Sequence, residues 1–186
     1  MSAFPNPNAV VLVEGISDQR ALTTLATRRG RDLGAEGVSV VAIGGAHAIV
    51  PYLERLGPRG AGVRLAGLCD IGQEGTFRRA LERAGMGTDL TRDDREDLGF
   101  FVCVADLEDE LVRALGPAAV LEIIGAQGEL GSFQTFQKQH AKRALELEEQ
   151  LWRFMWNRKI RYAPLLVDAL DLSRVPRPLD GVLARV

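Results

Sequence analysis

The 186 residues comprise 46% hydrophobic and 26% charged side chains and carry a formal net charge of −2, a balance that fits a soluble chain able to bury one domain-sized core. Near-neutral charge argues against a dedicated nucleic-acid coat, and no apolar run approaches the roughly 18 residues of a membrane span. The start, MSAFPNPNAV, has neither the basic region nor the apolar stretch of a signal peptide, so the expectation is a cytoplasmic protein without membrane contact.

In chain order, AVVLV (9–13) is apolar and mostly β-branched, which predicts a strand buried on both faces. Glu14, Gly15 and Ser17 follow it. Apolar residues then fall at Ala21, Leu22 and Leu25, one face of a helix over 17–30, with Ser17 the expected cap. A second strand, VSVVAI (38–43), leads into IGGAHA, where Gly44 and Gly45 predict a tight turn with amides open to a phosphate. His47 reads as a polar residue at the start of a helix over 46–57. VRLAGLC (63–69) is the third strand, followed by Asp70 and a helix over 73–85. The link RAGMGTDLTRDD precedes a fourth strand, GFFVCV (99–104), which leads to Asp106, Glu108 and a helix over 106–115.

Strands and helices alternating at this spacing predict an α/β fold: a parallel sheet of about four strands with right-handed crossovers and flanking helices, residues 1–115. After Leu115 the strand signals stop. AAVLEIIGAQ, HAKRALELEEQLWRFMW and APLLVDALDL all read as amphipathic helices, and the prolines of VPRPLDGVLARV start a further helix or turn. Residues 116–186 are thus expected to form a helical C-terminal extension packed on the α/β unit. Trp152, Phe154 and Trp156 are expected to pack between helix and sheet, the alternative being stacking on bases. Cys69 and Cys103 have neither disulfide nor metal-ligand spacing and read as core thiols. From Leu151 onward seven basic residues (Arg153, Arg158, Lys159, Arg161, Arg174, Arg177, Arg185) face three acids (Asp168, Asp171, Asp180), a basic tail compatible with phosphodiester chemistry.

The acids are placed otherwise. Glu14 and Asp18 follow the first strand, Asp70 the third, Asp106 and Glu108 the fourth. In a parallel sheet all these ends share one edge, where open α/β folds bind ligands. Carboxylates gathered there repel one another unless a cation is present, and such hard oxygen donors suit Mg²⁺ or Mn²⁺. The plainer alternative is that each acid caps a helix N-terminus.

Five segments in order resemble the Toprim (topoisomerase–primase) domain of the OLD (overcoming lysogenization defect) family nucleases. VLVEGISDQRAL is similar to the family's strand–Glu–Gly–x–x–Asp–helix opening, and VVAIGGAHAIVPYLERLG to its strand with a Gly-Gly turn. LAGLCDIGQEG stands at its Asp-x-Asp, FFVCVADLEDEL at its strand leading into Asp-Leu-Glu, and RKIRYAPLLVDAL at its C-terminal Lys-x-x-aromatic-Ala segment. The resemblance implies a Toprim-like Rossmannoid fold and a divalent-metal-dependent phosphodiester hydrolase, a nuclease using Mg²⁺ or Mn²⁺ on nucleic acid, DNA first. Glu14, Asp18, Asp70 and Glu108 match its metal ligands; Glu14 also matches a general acid/base, and Lys159 a cation that approaches the scissile phosphate. Gly72 stands where the family has its second aspartate, so a second metal loses a ligand unless Glu74 or water substitutes. The alternative is a catalytically weakened Toprim module that binds nucleic acid or a partner protein. No G-x-x-x-x-G-K-[ST] loop occurs, so a standalone unit is expected, with any ATPase supplied as a separate partner.

Overall fold

The computed structural model describes residues 7–186. Four strands, β1 (Ala9–Val13), β2 (Val38–Ala42), β3 (Arg64–Asp70) and β4 (Phe100–Cys103), form one parallel sheet in the order β2-β1-β3-β4. The helices are α1 (Ile16–Arg28), α2 (Ile49–Leu56), α3 (Glu74–Arg83), α4 (Arg92–Asp97), α5 (Leu107–Leu115), α6 (Pro117–Ala126), α7 (Leu130–Gln137), α8 (Leu147–Met155), α9 (Lys159–Ala169) and α10 (Arg177–Ala184). The four expected strands are present within a residue or two of their expected bounds. Among the described residues, no helix is long and apolar enough to cross a membrane.

The period-two geometry of a strand sends alternate side chains of β1 into two cores. Val11 and Val13 join Ala66, Leu68, Phe101 and Cys103 under α1, α5, α6, α8, α9 and α10. Val10 and Leu12 join Leu65, Cys69 and Phe100 under α2 and α3. All five residues of β1 are buried, as a central strand covered on both faces requires. Gly67 of β3 lets the β4 ring approach, since a Cβ there would lie 2.7 Å from Phe100 Cδ1.

The C-terminal helices share the larger core with the strands. On α9, Tyr162, Ala163, Leu166 and Val167 are buried, the spacing of one helical face, and the helix lies along α1. Pro164 has no N–H to give the carbonyl of Ile160 one turn earlier, and Arg20 of α1 donates to that oxygen at 3.3 Å. Two turns along α1, Arg28 donates to the carbonyls of Val167 and Leu170, at 2.7 and 2.8 Å, closing the other end of α9.

Several local expectations are corrected. The N-cap of α1 is Gly15, not Ser17, and Asp18 closes the turn by accepting from the Gly15 N–H at 2.8 Å. The stretch 138–146 is turn rather than the first half of a long helix, because Gln150 donates to the carbonyls of Lys142 and Leu145 and holds them in a bend. The link before β4 contains α4, whose capping box joins Thr91 and Asp94.

Candidate functional site

The strand order reverses direction between β1 and β3, which opens a crevice beyond their carboxyl ends. Glu14 leaves β1 there and Asp70 ends β3. Glu14 Oε1 accepts from the Asp70 N–H at 3.0 Å, so the two strand ends are tied through one carboxylate. The carbonyl of Glu14 accepts from the amides of Gly44 and Gly45, at 3.1 and 3.0 Å. Both glycines have φ in the left-handed region, +80° and +111°, which the turn requires. The expected tight turn is thus present, and its amides are spent on the Glu14 carbonyl rather than left open to a phosphate. His47 is exposed at the following turn.

Asp106 and Glu108 enter from the β4 end. Asp106 is the N-cap of α5, accepting from the Asp109 N–H at 2.8 Å, and Glu108 lies in the first turn. Both are buried, at 5% and 2% exposure. Lys159, the first residue of α9, reaches across to them, its Nζ 2.7 Å from Asp106 Oδ2 and 2.8 Å from Glu108 Oε2. The remaining oxygen of Glu108, Oε1, is buried without a hydrogen-bond partner. Arg158 and Arg161, the neighbours of Lys159, instead share Glu129.

Five carboxylates thus stand around one ammonium, and four of them, Glu14, Asp18, Asp70 and Glu108, are raised. Burial, with the charges of Glu108 and Glu14, pushes Asp18 up to about 7. Burial, with Glu14, Asp18 and Asp106, pushes Asp70 up to about 8. Glu14 and Glu108 are also raised, chiefly by burial, although Lys159 opposes the rise in each. For Lys159 burial alone favours the neutral amine; the charges and hydrogen bonds of Glu108 and Asp106 outweigh it and hold the ammonium form. The thiols of Cys69 and Cys103, buried nearby, are pushed up and stay protonated.

Among the described residues, no three or more His, Cys, Asp or Glu side chains stand together as a preformed metal-ligand group. The chemistry of the donors nevertheless fits a divalent cation: hard oxygens that outnumber the one ammonium among them, and one buried oxygen without a partner. Gly72 is exposed, and a Cβ added there meets no atom within 4 Å. Glu74 is no substitute for the missing aspartate, because it pairs with Arg92, at 2.9 Å, and with Arg95.

Lys159 is held on this edge by more than the acids it pairs with. Asp106 also accepts from Trp152 Nε1, at 2.9 and 3.0 Å from its two oxygens. Trp156 is exposed beside Lys159, whose Nζ lies 4.3 Å from the ring centroid. Of the three C-terminal aromatics expected to pack, Phe154 does so, while the two tryptophans line the site. The signal was present, since Asp106 follows β4 directly, but nothing local connects it to residues about fifty positions later.

Residues 7–71 match the family model described as "Overcoming lysogenization defect protein-like, TOPRIM domain". The whole fold is similar to the C-terminal region of the Xanthomonas campestris pv. campestris OLD protein, with a TM-score of 0.77 at 23% identity, covering 97% of this chain and 92% of that one. It is similar also to the C-terminal region of the Burkholderia pseudomallei OLD protein, with a TM-score of 0.76 at 20% identity, covering 97% of each. Among curated proteins no sequence matches the chain. At these identities the structural likeness is one of fold, and it extends from the matched segment through the C-terminal helices.

Proposed function

We propose that this chain, whose residues 7–71 match the OLD-like Toprim model and whose fold is similar to the C-terminal regions of OLD proteins, is a divalent-metal-dependent phosphodiester hydrolase acting on nucleic acid. The observation that carries the proposal is the excess of buried, under-compensated carboxylate at the crevice, with Glu108 Oε1 left without a partner. Glu14, Asp18, Asp70 and Glu108 would hold Mg²⁺ or Mn²⁺. The bound cation supplies neutralisation of phosphate oxygens and a lowered pKa for water. Glu14, fixed by the Asp70 amide, would either hold the cation or act in general acid/base work. Lys159 stays charged and offers its ammonium to the negative charge that develops on the phosphate. Asp106, with Trp152 behind it, holds Lys159 at the edge.

Gly72 favours a second proposal, a Toprim module weakened in catalysis that binds nucleic acid or a partner protein, for it leaves one ligand fewer on the β3 side. Supercoiled and linear DNA incubated with Mg²⁺, Mn²⁺ or chelator separates the two. Cleavage that depends on the metal and stops with chelator is expected; intact DNA under all conditions refutes the hydrolase.

A further inference from the structure

Beside the carboxylate crevice runs an open groove of about 840 Å³, bounded by the start of α1 and the start of α9. Its wall carries four cations, Arg20, Arg158, Lys159 and Arg161, and no carboxylate, in a chain whose net charge is −2. Arg158 and Arg161 share the single charge of Glu129 behind the wall, which leaves that pair net positive. The floor is apolar where a soluble surface is usually polar. Ile16, Trp156 and Ile160 are 49%, 51% and 46% exposed, three of the eight large hydrophobics exposed among the described residues. Ile71 and Val104, two more of the eight, follow β3 and β4 on the same edge of the sheet.

Cations beside an exposed indole are the combination that binds a nucleic-acid strand through its phosphates and its bases together. A duplex keeps its base faces covered and offers only phosphates and groove edges. Phosphate contacts alone would leave Trp156, Ile16 and Ile160 in water. The indole is also held in place. Trp152 meets it nearly edge-on, with centroids 5.0 Å apart at 75°, and is itself anchored to Asp106. Lys159 Nζ lies over the same ring, so a base stacked on its free face would sit beside that cation.

We infer that the groove takes a single strand, or the frayed end of a duplex, with one unpaired base stacked on Trp156. The inference rests on the nucleic-acid proposal above and narrows its substrate to nucleic acid with unpaired nucleotides at the site. The full chain is titrated, in chelator, against a labelled single strand of about a dozen nucleotides and against the blunt duplex of the same sequence. Anisotropy and tryptophan emission are read together. Tighter binding of the single strand, with quenching that the duplex does not cause, is expected. W156L should weaken single-strand binding roughly tenfold and leave duplex binding unchanged, while W156F should retain most of the affinity. Equal loss on both substrates, an unaltered W156L, or no binding of the single strand overturns the inference. Because binding is read without metal, absence of cleavage in the metal assay refutes hydrolysis and leaves this result standing or falling by itself.

Discussion

Two acidic clusters lie close together around the end of β3, and they are built in opposite ways. Glu74, at the start of α3, is one carboxylate between two guanidinium groups, those of Arg92 and Arg95. The hydrogen bond from Arg92 holds its carboxyl below the usual range. Across the crevice, five carboxylates share Lys159, and Asp18 and Asp70 are raised to about 7 and about 8. The first cluster is complete and ties α3 to α4. The second is short of positive charge by construction. Acids at a sheet edge are therefore not informative by number; the ratio of carboxylate to cation around them distinguishes a structural ion pair from a site awaiting a ligand.

Removing the cation from each cluster tests the contrast most severely. In K159A, Asp106 and Glu108 lose the partner of two buried charges, and uncompensated buried carboxylates cost about 3–5 kcal/mol. Thermal denaturation of the metal-free protein should show that loss as a Tm lower by about 10 °C. If the protein cleaves DNA, the rate should also fall about a hundredfold, the scale of losing one charge-stabilising donor. R92A removes an exposed partner and leaves Arg95 on Glu74, so a change below about 1 kcal/mol and no change in cleavage are expected. Equal losses in the two variants would erase the distinction.

A smaller effect should follow from pH. Where the folded state raises a carboxyl pKa, the protonated group contributes stability that is full below the ordinary carboxylate value, about 4, and is lost as pH rises through the folded value. For Asp18 and Asp70 that window ends at about 7 and about 8. Glu74, being lowered, loses its contribution only as pH falls below the ordinary range. Between pH 5 and 8 the metal-free Tm should therefore decline, on the order of 5 °C, and saturating Mn²⁺ should flatten the slope. A Tm that is level without metal would show that Lys159 already compensates the edge.

The finest adjustment is Gly72→Asp. The new side chain meets no atom within 4 Å of its Cβ and adds a carboxylate on the β3 side. Calorimetric titration with Mn²⁺ should gain a second event or a several-fold tighter one, without a change in fold. Identical isotherms for the two proteins would mean that Gly72 does not limit metal binding.

The sheet was legible in the sequence because strands buried on both faces need unbroken apolar runs, and those runs are local: AVVLV of β1 and FFVC of β4 are examples. The acids at strand ends were legible for the same reason, since the register of a parallel sheet puts every strand's carboxyl end on one edge whatever the connections between. Short helices were less so. The sequence of α4, RDDRED, has no apolar face, and a capping box with Thr91 forms it. The region 138–146 has helical composition, yet Gln150 bends it.

What the tertiary structure alone decided is which charges meet. Lys159 and Asp106 are 53 residues apart, Trp152 and Asp106 are 46 apart, and Glu74 finds Arg95 at a separation of 21. No local pattern encodes those pairs. They depend on α9 docking along α1, with Arg20 taking the carbonyl that Pro164 leaves free, and on α5 presenting Asp106 and Glu108 from its first turn. Residue type and strand position determined that acids would gather at the edge; Lys159 was expected there only from the resemblance to the OLD-type Toprim segment. Packing decided that Glu74 is satisfied, that Glu108 is not, and that a tryptophan stands exposed beside the lysine, because the energy of a charge is set by the distance and burial of its partners and not by its place in the chain.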